Sequence, residues 1–347
     1  MGDITLTAVT VLLCLLVGEF AGRLLSPEAS LWRYPNYIVQ ASARDPDHQS
    51  QMRFDPALGH EPVPGFKGEL KGKPISFSAQ GLRNHNLDRP AALGPLTLAL
   101  GDSFTEGYMV GDDETWPAVL ERLSGRRVLN GGVRAYGIDQ AVMRGERLAP
   151  TLKPQTIVLA FIADDIERVG LKVRDRNNKP YFALDGAGGL TLHNVPVPTN
   201  RDRVSSWRQV AGYSYLADFV MRRLGLTGLW YNTYVEAHDD ALDVSCRLMT
   251  RFAGLVKKVG AKALVVALPE DMEWTHPEVA ETNRRIARMV LDCAAKAGLP
   301  TLDVSPGFAA ENVAKDVPGY YFNLHFTARG NALAARLIAQ ALEAQAK

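Results

Sequence analysis

The residues best suited to nucleophilic chemistry are a serine that closes a short apolar strand and a histidine in a loop near the other end of the chain. The stretch Leu96 to Glu106 reads L-T-L-A-L-G-D-S-F-T-E. Leu96 to Leu100 form a buried strand. Gly101 and Asp102 turn the chain, and Ser103 falls at the strand's carboxyl end, before a helix. In open α/β sheets ligands bind at that edge. A serine there, with the N–H groups of the following turn beside it, has the makings of a nucleophile with part of an oxyanion site. The simpler reading is that Asp102 and Ser103 only cap a helix.

A serine needs a base. Of the seven histidines, His325 is the best placed, in Y-Y-F-N-L-H-F-T-A-R-G-N just before the last helix. In a doubly wound sheet that loop can return to the carboxyl edge beside the first strand. His193 is the second choice. His238 and His276 read as solvated helix-end residues, and His48, His60 and His85 as surface or loop residues. Asp112, Asp113 and Glu114 form an acidic trio that caps the helix at Trp116 rather than holding a metal, and nothing in the sequence calls for a cofactor.

The elements that must position this pair follow in order. Arg127–Asn130 is a second strand, ending in Asn130-Gly131-Gly132. Thr156–Phe161 is a third, running into Ala163-Asp164-Asp165. Lys262–Leu268 is a fourth, and Thr301–Val304 a short fifth. Between them lie helical stretches at Trp116–Leu123, Asp139–Leu148, Leu242–Val259, Glu278–Ala297 and Ala328–Ala344, with apolar residues at i, i+3 and i+4. Near-continuous apolar strands alternating with amphipathic helices specify a parallel sheet covered on both faces. The expected fold is a three-layer α/β/α sandwich with a mainly parallel five-stranded sheet.

The domain plan has three parts. Residues 1–25 are an apolar anchor helix. Residues 26–94 are a Pro- and Gly-rich extension of short strands packed on the main domain, including an alternating strand from Lys73 to Ser78. Residues 95–347 are the main domain. An insertion at about 171–234 interrupts it with weak strands and with aromatic residues such as Trp207, Tyr213 and Trp230. It is placed to act as a lid or substrate wall.

Composition narrows the function. The 347 residues carry 39 Lys+Arg against 38 Asp+Glu, a net charge of +1, which argues against a nucleic-acid or polyanion partner. Three cysteines, Cys14, Cys246 and Cys293, lack metal spacing and make no disulfide framework. Cys246 and Cys293 fall on helices and read as buried apolar residues.

Ile4 to Val17 is uncharged and short for a full membrane span, which needs ~20 residues. Glu19 and Arg23 stand where a cleavage site would be, so the segment reads as an uncleaved signal anchor in a membrane through residues 4–25. The alternative is a buried helix of a soluble protein. Arg23 and Arg33 follow the segment and no Lys or Arg precedes it, so charge bias alone opposes export. The reading adopted nevertheless places the main domain outside the cytoplasm.

The chain resembles the SGNH (GDSL-type) hydrolase superfamily, and in layout its membrane-anchored bacterial members. Gly101-Asp102-Ser103-Phe104-Thr105-Glu106-Gly107 carries the first block, Asn130-Gly131-Gly132-Val133-Arg134-Ala135-Tyr136-Gly137 the second, and His325 with Gly330-Asn331 the last. The resemblance implies a flavodoxin-like α/β/α fold. It makes Ser103 the nucleophile and His325 the base, with an oxyanion held by the N–H groups of Ser103 and Gly132 and a side-chain amide.

Two positions depart from that pattern. Asp164 stands where the family offers an Asn amide, and an ionised carboxylate cannot donate a hydrogen bond. Phe322 and Asn323 stand where an Asp is expected before the histidine. Asn323 can orient His325 through its carbonyl oxygen but adds no charge. The implied activity is a serine esterase acting on an acetylated carbohydrate or a small ester. The alternatives are an O-acyltransferase on a polysaccharide and a catalytically degraded binding or structural subunit anchored to a membrane.

Overall fold

The computed structural model describes residues 2–25, 51–70, 72–84, 95–175, 177–199, 205–226, 229–230 and 234–345. The expectations for residues 26–50 and 85–94, with His48 and His85, lie outside the described residues. The chain divides into two compact units, Ser50–Lys172 with Lys179–Val197 and Glu236–Lys347, and Met1–Gln49 with Val173–Asn178 and Pro198–Val235.

The larger unit is built on a five-stranded sheet of β1 (Leu96–Leu100), β2 (Arg127–Asn130), β3 (Thr156–Phe161), β4 (Lys262–Ala267) and β5 (Thr301–Asp303). Their spatial order is β5-β4-β3-β1-β2. Every pairing is parallel. Strand side chains alternate between the two faces, and each face finds its own core. Leu98, Leu100, Ile157, Leu159, Ala263 and Val265 pack on one side against the helices Ile138–Leu152, Ala241–Val259 and Pro277–Lys296. Ala99, Val158, Ala160, Leu264 and Val266 pack on the other against Trp116–Ser124 and Ala328–Ala344. The three layers therefore follow from strands that are apolar on both faces.

Residues 51–84 add two antiparallel hairpins, Met52–Asp55 with Gly59–Pro62 and Lys67–Leu70 with Lys73–Ser76. Their Met52, Leu70, Ile75 and Phe77 cluster with Val133 and Tyr136. His60, expected as a surface or loop residue, lies on the strand Gly59–Pro62 and is half-buried. Its Nε2 meets the Arg134 carbonyl oxygen at 2.9 Å, and its ring stands edge-on to Tyr136. His238 also differs, lying against Asp240 and Tyr181.

The cysteines need a correction. Cys246 and Cys293 are not separate apolar fillers but a disulfide, with Cα atoms 5.2 Å apart. It joins helices Ala241–Val259 and Pro277–Lys296, which lie side by side on one face of the sheet. The pairing depends on the two helices on either side of β4 in sequence packing against each other, which spacing alone does not encode.

The smaller unit contains α1 (Gly2–Leu25), whose outward side chains are apolar along its length. It also contains the helices Ser206–Ala211 and Tyr215–Arg223, and a small core of Trp230 with Ala211, Ala217 and Met221.

The turn after β1 is closely packed. Gly101 has φ +153°, and an added Cβ would lie 2.4 Å from both the Ala160 carbonyl oxygen and Thr105 Oγ1. Backbone and neighbour both forbid a side chain. Gly101→Ala is expected to cost about 3 kcal/mol or more through overpacking and strain, read as a lower midpoint of urea unfolding. An unchanged midpoint would mean that the turn has room the structure does not show.

Candidate active site

Three neighbouring strands deliver the chemistry to one edge of the sheet. β1 ends at the short helix Ser103–Glu106, β2 at Gly131-Gly132, and β3 at the helix Ala163–Glu167. Asp102 caps the first of these helices, its Oδ1 accepting from the Phe104 N–H at 2.9 Å. The capping reading of Asp102 is thus correct as far as it goes, and it leaves Ser103 to face the cleft.

Ser103 and His325, 222 residues apart in sequence, meet at 2.9 Å between Oγ and Nε2. His325 starts the second arm of a two-residue hairpin, Tyr321–Phe322 with His325–Phe326. Asn323 and Leu324 at its tip have φ of +47° and +68°, the paired positive values of a tight turn suited to a right-twisted hairpin. The turn brings the Asn323 main-chain carbonyl oxygen 2.9 Å from His325 Nδ1. A carbonyl can only accept, so Nδ1 carries the proton. Nε2 of the neutral ring is then the acceptor for the Ser103 hydroxyl. It is the main-chain carbonyl, not the side chain of exposed Asn323, that makes this contact.

The Phe104 and Tyr108 rings flank the imidazole at 5.2 Å each. Burial lowers the His325 pKa, opposed by the Asn323 hydrogen bond and the Asp102 charge. The ring is therefore held toward its neutral, proton-accepting form.

Asp164 is half-exposed and bound to Arg168, whose Nε donates to its Oδ2 at 2.8 Å. Sequence reasoning passed over Arg168, although its i+4 spacing from Asp164 was a usable signal. Its Nη1 also donates to the Tyr136 carbonyl oxygen at 2.8 Å and to Asp165 at 2.5 Å, and lies 3.3 Å from Asp102. Burial works against the guanidinium's charge, but Asp165, Asp164 and Asp102 outweigh it and raise its pKa. Asp164 stands here as a charge-balanced carboxylate.

Gly132 is fixed by close approach. An added Cβ would lie 2.4 Å from the Glu106 nitrogen. Its N–H donates to Asn130 Oδ1 at 3.0 Å, while Asn130 Nδ2 donates to the Thr105 carbonyl oxygen at 2.8 Å. The Glu106 carboxylate accepts from the Arg134 N–H at 2.6 Å and pairs with its guanidinium, both groups buried. Burial opposes ionisation of Glu106, but the Arg134 charge overcomes it and lowers the pKa. The first and second sequence blocks are therefore clamped together from within. Asn331 has a structural task, its Oδ1 accepting the Trp116 N–H at 2.8 Å. His193, the second-choice base, stacks on Tyr181 instead. Among the described residues no group of three His, Cys, Asp or Glu side chains could hold a metal ion.

A further carboxyl group escaped the sequence reading. β4 pairs Ala267 with Phe161, and the Leu268 N–H continues to the Phe161 carbonyl oxygen at 2.8 Å. Glu270 follows on the same segment, its Oε2 accepting from Asn283 at 2.9 Å. Burial and then the Asp164 charge push its pKa up to about 8, against the pull of Arg168 and with Glu273 and Asp102 adding to the rise.

Because the folded pKa exceeds the ordinary value of 4.5, the native state holds a proton that the unfolded chain releases between those values. This group's stability contribution is complete below the lower value and fades as pH rises through the upper one. Glu270→Gln should raise the melting temperature relative to wild type above about pH 8 and leave it unchanged below about pH 4.5. Equal melting curves at both extremes would show that Glu270 ionises freely.

Comparison with known families finds that the profile of the GDSL-like lipase/acylhydrolase family matches residues 99–333. Solved structures similar to the chain include an acetyl xylan esterase from Geobacillus stearothermophilus, at 14% identity and TM-score 0.44, covering 72% of this chain and 94% of that one. The lipase/acylhydrolase from Enterococcus faecalis is similar at 13% identity and TM-score 0.42, covering 72% and 96%. A comparison with curated proteins finds no match.

Proposed function

The chain belongs to the GDSL-like lipase/acylhydrolase family, and from that premise we propose that it hydrolyses carboxylic esters with Ser103 as nucleophile and His325 as base. The observation that carries the proposal is the 2.9 Å contact between Ser103 Oγ and His325 Nε2, on a ring whose other nitrogen is committed to a carbonyl.

His325 Nε2 takes the hydroxyl proton as Oγ attacks the ester carbon, and the carbonyl π pair moves onto oxygen. Collapse of that intermediate breaks the ester C–O bond, and the leaving alkoxide receives the proton from Nε2. Water then repeats the sequence on the acyl-Ser103 and restores the hydroxyl. The oxyanion falls to the N–H of Ser103 and to that of Gly132, which the substrate must win from Asn130 Oδ1. The Asn323 carbonyl orients the imidazole, while the Asp102 charge favours its protonated form from a distance. The substrate class that fits the reading is an acetylated carbohydrate or a small ester.

Residues Ile4–Leu25 form a helix long and apolar enough to cross a membrane, and we read it as an uncleaved anchor with the larger unit outside the cytoplasm. The Cys246–Cys293 disulfide supports that side, since such bonds persist in oxidising compartments. Arg23, one of the two charges that oppose export, pairs with Glu19 at 3.1 Å and lies over the Tyr215 ring. It is therefore not a solvated loop cation of the kind the charge rule counts.

Treating the full-length protein with a fluorophosphonate probe and assaying release from p-nitrophenyl acetate tests the mechanism. Wild type should be labelled and Ser103→Ala should not. The acid limb of kcat/KM should have its midpoint below the ordinary histidine value of 6.5, following the downward shift of His325. Labelling or release that survives Ser103→Ala overturns the assignment.

Asp164→Asn is a separate test. An Asn side chain could still accept from Arg168 Nε and would add the N–H donor that the carboxylate lacks. The rate should rise, by up to the roughly 10²–10³-fold that one oxyanion donor is worth. An unchanged or lower rate would mean that Asp164 has a different role.

A further inference from the structure

The smaller unit carries a surface that the esterase reading does not use. The carboxyl-terminal turn of α1 is bonded into the start of the helix Tyr215–Arg223. Glu19 accepts from Ser214 Oγ at 2.8 Å, from the Tyr215 N–H at 3.1 Å and from the Leu216 N–H at 3.0 Å. Two otherwise orphaned helix-start donors are satisfied by a carboxylate from another helix. The backbones also meet closely, since an added Cβ on Gly22 would lie 3.1 Å from the Leu216 nitrogen. Arg23 closes the joint over Tyr215, at 4.6 Å from the ring centre.

This joint fixes the height of the two short helices. A helix of 22 residues at about 1.5 Å per residue matches the ~30 Å hydrocarbon core of a bilayer. With α1 across a membrane, its last turn reaches the headgroup level and so does the helix Tyr215–Arg223 bonded to it, while Ser206–Ala211 follows through the Trp230 core that Ala211 shares with Ala217 and Met221. Their exposed side chains suit that place. Trp207, Val210, Tyr213, Val220 and Leu224 point outward, Val210 with 74% exposure and Leu224 with 65%, while Trp230 fills the inside and donates to Asp218 at 2.8 Å. Arg208 and Arg223 lie among these apolar residues, with Arg222 paired to the segment's buried acid, Asp218, at 2.8 Å. Tryptophan and tyrosine among leucine, valine and arginine is the composition that settles at the boundary between hydrocarbon and anionic headgroups.

We propose that the helices Ser206–Ala211 and Tyr215–Arg223 form an interfacial membrane-docking surface that partitions into the headgroup layer of an anionic bilayer, held there by the Glu19 joint. The proposal rests on the reading of α1 as a membrane anchor. The anchor then does more than tether the chain, because its end is rigidly continuous with a second lipid contact.

Site-directed spin labelling of the full-length protein in phosphatidylcholine–phosphatidylglycerol vesicles tests this. The background is Cys14→Ser, with the Cys246–Cys293 disulfide kept. Labels are introduced singly by Leu12→Cys on α1, Val210→Cys on the proposed surface and Leu123→Cys on the larger unit, all at exposed positions. Each is probed by collision with dissolved oxygen and with a water-soluble nickel chelate. The expected result is loss of nickel accessibility with high oxygen accessibility at Leu12 and Val210, and free nickel access at Leu123. Lipid-like behaviour at Leu12 with nickel access at Val210 overturns the docking surface and leaves the anchor intact. Protection of Val210 from both reagents also overturns it, because the surface is then covered by protein, such as a second copy of the chain. Nickel access at Leu12 overturns the anchor reading and the docking surface with it.

Discussion

The guanidinium of Arg168 is the cation on which the carboxyl edge of the sheet depends. Asp102 leaves β1, and Asp164 and Asp165 leave β3. All three carboxyl groups converge on this one cation, and burial together with the Asp102 charge raises the Asp165 pKa well above the usual carboxylate range, which holds that group toward its neutral form. Two like charges about 4 Å apart repel by roughly 4 kcal/mol at the effective dielectric of a protein surface, so three acids at adjoining strand ends need a counter-charge. Arg168 supplies it and also binds the Tyr136 carbonyl oxygen at 2.8 Å. The cap of the Ser103 helix, the third sequence block and the loop after β2 are thereby tied to one rigid side chain. A second buried pair, Glu106 with Arg134, ties the same helix to the second block. Both arginines hold the framework around Ser103.

With the framework set, the departures from the family pattern take a definite physical form. The position that would supply a carboxylate to the histidine supplies a main-chain carbonyl instead. A tight turn with two left-handed residues aims it. A carbonyl fixes the tautomer as well as a carboxylate does, because both only accept. What it does not supply is a full negative charge beside the imidazolium, and the Asp102 charge stands in only from farther away. Asp164 is likewise bound to Arg168. The supporting groups of the site are thus rearranged around an intact serine–histidine contact.

The Cys246–Cys293 bond and the Arg23–Glu19 pair bear jointly on where such a site would work. One is a covalent link suited to an oxidising compartment, and the other removes from solution Arg23, one of the two arginines that argued against export. Neither is visible as a local pattern, since each joins residues whose helices meet only in the folded chain.

The sequence by itself determined the alternation of strand and helix, the five-stranded parallel sheet, the serine at the end of β1 and the histidine before the last helix. These follow from side-chain periodicity, which acts between near neighbours. Only the tertiary structure decided which atom of Asn323 faces the imidazole, that the Gly132 N–H is held by Asn130, and that Arg168 binds three acids. It also decided that Glu270 lies beside them, that two cysteines bond, and that Glu19 caps a helix almost two hundred residues away. Hydrogen bonds and charge pairs of that kind depend on distances of a few ångströms between segments far apart in sequence. Those distances exist only after the sheet has brought the segments to one edge.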